Sequence, residues 1–131
     1  MKRGGLLNAP LSHVVARLGH GQTLLICDAG MPCPPGVPVI DLAIVPGLPG
    51  FLAVVAAVLS ELQVERYIVA EELAEQPGLI LSGLRHLLRQ AVEVSVPHEV
   101  LKQRSENCVT IVRTGECSAY ANVLLHSGVT F

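Results

Sequence analysis

The segment TLLIC, Thr23 to Cys27, limits the fold more than any other stretch of this chain. It is apolar or β-favouring throughout, with no alternation of polar and apolar positions. A strand with one wet face alternates, because successive side chains point to opposite sides. An unalternated strand is covered on both faces, the condition of a parallel sheet between helix layers. Val39 to Val45, Val64 to Ala70, Val92 to Val96, Val109 to Arg113 and Val123 to Leu125 are further strands by residue type. Between them lie helical patterns. Leu11, Val14, Val15 and Leu18 repeat at i, i+3, i+4, i+7 behind Asn8 as N-cap, with Gly19 placed for a left-handed C-cap. Pro49 opens a helix through FLAVVAAVLSEL, Leu79 to Gln90 sets Leu84, Leu87 and Leu88 on one face, and residues 98 to 104 follow Pro97. This order predicts an α/β fold: a three-layer single domain over residues 1–131 with a mostly parallel sheet.

Half of the residues are hydrophobic and 15% are charged, which leaves little polar material to cover a monomer and predicts burial between subunits. The apolar surface of FLAVVAAVL points the same way. The net charge is -2 and the basic residues are scattered, so neither nucleic acid nor an anionic membrane is an expected partner. Leu42 to Leu59 carries no formal charge over about the length of a short membrane span. Pro46, Gly47, Pro49 and Gly50 interrupt it, so it reads as strand, turn and buried helix. Lys2 and Arg3 resemble the start of a signal peptide, but Asn8, Pro10, Ser12 and His13 break the apolar stretch that should follow, and no export signal is read. Cys27, Cys33, Cys108 and Cys117 form no short C-x2-C pair, and reduced thiols in a cytoplasmic protein are expected.

Ligands of open α/β sheets bind beyond the carboxyl ends of the strands. Asp28 occupies such an end, although an aspartate there also serves simply to cap the PCPPG loop. His20 precedes the same strand, where the dipole of the preceding helix is a sufficient structural reason for it. If residues 21 to 27 run extended, the two side chains lie on the order of 25 Å apart. Either the chain folds back near Gly19 and Gly21, or a site using both is shared between subunits. Tyr120 and Asn122, two apart, leave the same face of an extended segment and suit a polyhydroxylated ligand; an ordinary turn into an edge strand is the alternative. HEVLK at 98 to 102 begins like a zinc-protease motif, but Lys102 stands where the second histidine belongs. GHGQT at 19 to 23 has neither a P-loop Lys-Ser/Thr pair nor a dinucleotide fingerprint. The thiols of Cys27 and Cys33 read as buried or neutral groups rather than nucleophiles.

The blocks RLGHGQTLLICDAGMPCP (17 to 34), IDLAIVPGLPGF (40 to 51), VERYIVAEE (64 to 72), HEVLK (98 to 102) and TGECSAYANVLLHSGVTF (114 to 131) together resemble the D-ribose pyranase and fucose mutarotase family. They cover nearly the whole chain in the family's order, and DAGMPCP and GECSAYAN look more like the ribose branch than the fucose branch. Ala119 departs from the proline usual before the tyrosine, and Glu75 to Val96 is a shorter, less polar segment than is usual. The resemblance implies a ring-forming oligomer, a homodecamer of two pentameric rings with active sites between subunits. It implies His20 as catalytic proton donor, and Asp28, His98, Tyr120, Ala121 and Asn122 as sugar-contacting positions.

The reaction so implied interconverts the β-pyranose and β-furanose forms of D-ribose. Opening a hemiacetal needs a proton delivered to the ring oxygen and another removed from the anomeric hydroxyl, work for general acid and base groups near neutral pH. His20 is expected as the acid, with His98 or Asp28 at the anomeric hydroxyl. No redox or phosphoryl step occurs, so neither metal nor cofactor is expected. An L-fucose mutarotase and a non-catalytic sugar-binding accessory protein are the rival readings.

Overall fold

A computed structural model describes residues 1–131. The elements follow in the order α1 (Ala9–Arg17), β1 (Thr23–Cys27), β2 (Val39–Asp41), α2 (Phe51–Leu59), β3 (Val64–Ala70), a 3-10 turn (Glu71–Glu75), α3 (Ile80–Leu87), β4 (Val92–Val96), α4 (His98–Ser105), β5 (Thr110–Arg113) and β6 (Val123–Ser127). All six strands join one sheet in the order β2-β5-β1-β6-β3-β4. β1, β2 and β5 pair in parallel, as do β3 and β4. β6 lies between β1 and β3 and runs antiparallel to both, so the sheet is parallel but for one central strand.

The unalternated strands are buried on both sides because the sheet is the middle of three layers. Leu24 and Ile26 of β1, Val112, Val123 and Leu125 face a core with Val14 and Val15 of α1, Phe51, Val55 and Val58 of α2 and Leu84 of α3. Leu25 and Cys27, Ile68, Ile111 and Leu124 point to the opposite face, under Leu101 of α4 and Met31 of the loop after β1. Each such fully buried Leu or Ile stabilises the fold by about 1.5–3 kcal/mol relative to exposure. Replacing Leu25 or Leu24 by a polar residue would therefore disrupt one layer or the other.

Helix α1 begins as its sequence predicts, Asn8 Oδ1 accepting the Leu11 N–H at 2.9 Å. Its end differs. Leu18 turns extended at φ -62, ψ 120 and packs on the core, so the chain leaves the helix before Gly19. The left-handed residue is instead Gly21, φ 77, whose N–H reaches Ser127 O at 2.8 Å and ties this corner to the end of β6. β2 stops at Asp41 rather than Val45: its only neighbour is β5, which ends at Arg113, opposite Asp41. The Asp41 carboxylate then accepts from Ala43 N and pairs with Arg113, turning the chain away. α3 is shorter than its apolar spacing predicts, with Leu88 as C-cap. The uncharged run Leu42 to Leu59 is a looped segment and a nine-residue helix, and no helix of the chain is long and apolar enough to cross a membrane.

Candidate active site

The reversed direction of β6 decides what meets at the carboxyl edge of the sheet. β1 ends at Cys27 and β6 begins at Val123, which lies opposite Ile26, so the residues just before β6 sit beside Asp28. Asn122 is 1% exposed, and its amide bridges to Asp28 twice: Oδ1 accepts the Asp28 N–H at 3.0 Å and Nδ2 donates to Oδ2 at 2.9 Å. The other Asp28 oxygen accepts from Gly30 N at 2.9 Å. The carboxylate does cap its loop, but it remains part-exposed beside the polar cluster.

Tyr120 and Asn122 do not share the face of an extended segment. Tyr120 adopts φ 61, and the Asn122 N–H closes back on the Tyr120 carbonyl at 2.7 Å, so the chain is a tight turn there. The turn sends Asn122 inward and lays the Tyr120 ring across the edge of both cores, with Ala121 fully buried between them. β3 and β4 end on the same edge, and α4 starts there with His98. Its ring meets that of Tyr120 edge-on, centroids 5.1 Å apart. The carboxylate of Glu72, from the 3-10 turn after β3, takes the His98 backbone N–H at 2.9 and 3.1 Å, fixing the helix start. His98 Nδ1 is buried and has no hydrogen-bond partner within the chain.

Glu116 builds the approach to this turn. Its carboxylate accepts from Phe51 N, Cys117 N, Ser118 N and the Ser118 hydroxyl. Burial opposes its charge, yet those donors win and hold the carboxyl below the usual range. Burial also pushes the Cys27 thiol up, helped by Cys33 and Asp28, so Cys27 is a neutral core thiol. Neither Glu72 nor Glu116 stands out in sequence, since each works by accepting backbone donors from segments distant along the chain.

His20 is absent from this cluster. It lies beyond the amino end of β1, with Glu65 near the start of β3 and His126 near the end of β6. Its Nε2 is 2.9 Å from Glu65 Oε2. Asp28, His98, Tyr120, Ala121 and Asn122 are thus brought together by one chain, and His20 is on the opposite edge of its sheet.

The three-layer α/β sheet sets the class of this protein, and the carboxylate, imidazole, phenol and amide at its strand ends are groups that can hydrogen-bond a small, hydroxyl-rich ligand. The chain belongs to the RbsD / FucU transport protein family, whose profile matches residues 1–130. It is 53% identical over 131 residues to a D-ribose pyranase of Symbiobacterium thermophilum and 47% identical to that of Laribacter hongkongensis, all of both chains being covered in each case. The structure of Bacillus subtilis RbsD complexed with D-ribose superposes with a TM-score of 0.96 at 37% identity, over 100% of both chains. FucU of Bifidobacterium longum shares the fold, with a TM-score of 0.83 at 18% identity over 95% of this chain and 97% of that one.

Proposed function

We propose that this chain is an intramolecular isomerase that interconverts the β-pyranose and β-furanose forms of D-ribose. The observation that carries the reading is full-length identity of about half to proteins named D-ribose pyranase, together with the fold match to RbsD holding D-ribose.

In the proposed chemistry His20 gives a proton to the ring oxygen as the C–O bond breaks, while a base takes the anomeric hydroxyl proton as the carbonyl forms. On closure through a different hydroxyl, that hydroxyl returns its proton to His20 and the base returns one to the carbonyl oxygen. No proton is gained or lost overall. The base is His98 or Asp28: His98 Nδ1 has no hydrogen-bond partner within the chain, and the part-exposed Asp28 carboxylate keeps acceptor capacity beyond the one hydrogen bond that each oxygen takes. Asp28, Tyr120, Asn122 and the backbone at Ala121 hold the remaining hydroxyls.

His20 and Asp28 stand at opposite ends of β1, so this reading requires a homo-oligomer in which His20 of one subunit completes the cluster of another. An exposed apolar groove supports assembly: Leu7 and Ile44 are each 74% exposed and rim it with Leu48, Ala53 and Ala57. A homodecamer of two pentameric rings is the arrangement the family resemblance suggests. Four free cysteines suit a reducing compartment, and the proposed location is the cytoplasm.

Saturation-transfer NMR on equilibrated D-ribose tests the activity: faster pyranose–furanose exchange is expected, and ribose bound without faster exchange would favour an accessory binding protein. L-fucose in the same assay tests the rival sugar. Sharing of the site is tested by mixing inactive His20→Asn and His98→Asn proteins under subunit exchange. Hybrid oligomers recover activity if the two residues act across an interface, and hybrids that stay inactive exclude it.

A further inference from the structure

We propose that Glu65 is the positioning residue that sets the tautomer and ring direction of His20, an inference that rests on His20 being the proton donor. A carboxylate accepts hydrogen bonds and cannot donate them. With Glu65 Oε2 at 2.9 Å, Nε2 is the protonated nitrogen and Nδ1 is the one that exchanges a proton with substrate. The charged ring, with both nitrogens protonated, gives its Nδ1 proton to the sugar's ring oxygen and is left as the neutral Nε2–H form, still donating to Glu65. On closure Nδ1 takes a proton back. The ring therefore never needs to turn over between the two half-reactions.

Two features of the backbone place Glu65 for this task. Val64 lies opposite Ser127 and Arg66 opposite His126, so Glu65 is an extra residue in β3, a bulge in its pairing with β6. A bulge re-aims a side chain that regular pleating would direct elsewhere. Gly128 makes room for it: a Cβ there would lie 3.1 Å from Glu65 Cβ and 3.3 Å from Glu65 N. Gly128 N also donates to Gln63 O at 2.9 Å, closing the bulge.

The His20 side is tied to the same strand end. Gly21 N donates to Ser127 O and Ser127 N to Gln22 O, at 2.8 and 2.9 Å, while the Gln22 side chain accepts from Gly19 N at 2.8 Å. Both partners are thus located by residues 127 and 128. His20 and Glu65 side chains are 59% and 38% exposed, where an ion pair adds little to stability. Stability is therefore a poor reason for a bulge, a glycine and a stitched loop to converge on this pair, and orientation is a sufficient one.

The experiment compares wild type, Glu65→Ala, Glu65→Gln, His20→Asn and the double variant Glu65→Ala/His20→Asn, each as the assembled oligomer, in the ribose exchange assay. Glu65→Ala is expected to lower kcat about tenfold to hundredfold, a share of a general acid's usual contribution, with KM within about twofold. Glu65→Gln keeps an acceptor oxygen and falls between. The double variant is expected to assemble and melt like His20→Asn, which separates loss of orientation from loss of fold. The His20 ring 15N shifts at alkaline pH should show the Nε2–H tautomer in wild type and a mixture in Glu65→Ala. Unchanged kcat in both Glu65 variants beside an inactive His20→Asn would overturn the role of Glu65 alone. An unchanged tautomer in Glu65→Ala would also overturn it. Full activity in His20→Asn would instead remove the underlying assignment of the acid.

Discussion

Asn122 and Asp28 are 94 residues apart in sequence and grip each other through two hydrogen bonds, one to the Asp28 backbone and one to its carboxylate. The pair joins the carboxyl end of β1 to the start of β6 and fixes the carboxylate at the edge of the candidate site. Asn122 is suited to this because an amide offers an acceptor and a donor side by side.

Asn122→Asp keeps the shape and replaces the donor with a second carboxylate facing Asp28. Proton uptake relieves that repulsion, so the folded variant binds a proton more readily than its unfolded chain. Its stability deficit, about 1–3 kcal/mol at neutral pH for a lost buried partner, should shrink as pH falls toward 4. Thermal melts of variant and wild type across that range measure this, and a deficit independent of pH would show that the amide matters only for packing.

At Tyr120 backbone and ring make opposite demands. The φ of 61 is costly for a residue with a Cβ, by about 1 kcal/mol relative to glycine. Tyr120→Ala should lose the ring's packing and retain the strain, whereas Tyr120→Gly loses the packing and relieves it. The glycine variant is expected to be the more stable of the two by chemical denaturation, and both should bind ribose weakly by calorimetry.

Glu72 touches His98 only through the backbone N–H that starts α4. Glu72→Gln, which leaves a neutral acceptor there, should disturb the His98 ring less than Glu72→Ala. A KM for ribose exchange that rises severalfold in the alanine variant and less in the glutamine variant is the expected order. Equal values for all three proteins would remove Glu72 from the site.

Acid should weaken the fold in two stages. Burial, with Arg66 and Arg104 nearby, lowers the pKa of His126 against the opposing pull of Glu65. The unfolded chain then takes up a proton first as pH falls below 6.5, and the stability present above that value declines until the folded histidine also protonates. Glu93 is held low by hydrogen bonds from Arg85, against burial and with help from the Tyr67 hydroxyl. Its contribution is complete above the ordinary value of 4.5 and is lost as pH falls through its folded pKa. Melting temperature against pH should show both declines, and His126→Gln should flatten the upper one only.

Several elements were legible from residue type because local chemistry decides them. Asn8 caps α1 through its own side chain, and Thr23–Cys27, Val64–Ala70 and Val92–Val96 have the bounds that their β-favouring residues predict. The Gly19 cap and the long form of β2 were not, since Leu18 follows the core and β2 follows the length of its one neighbour. Asp28, Tyr120 and Asn122 were candidates from strand position and spacing, and His98 and Ala121 from resemblance to a family, but the turn that separates the directions of Tyr120 and Asn122 left no signal in spacing.

What the sequence by itself determined is the layered α/β class, because strands without a polar face must be covered on both sides; it left open whether the chain folds back near Gly19 and Gly21, and the extended five-residue β1 settled that His20 and Asp28 lie apart. The tertiary structure alone decided the direction of β6, the bulge at Glu65 and the gathering of residues 28, 72, 98 and 120–122 on one edge. Those outcomes depend on pairing between segments far apart in the chain, and backbone hydrogen bonding in a sheet carries no residue code that names its partner.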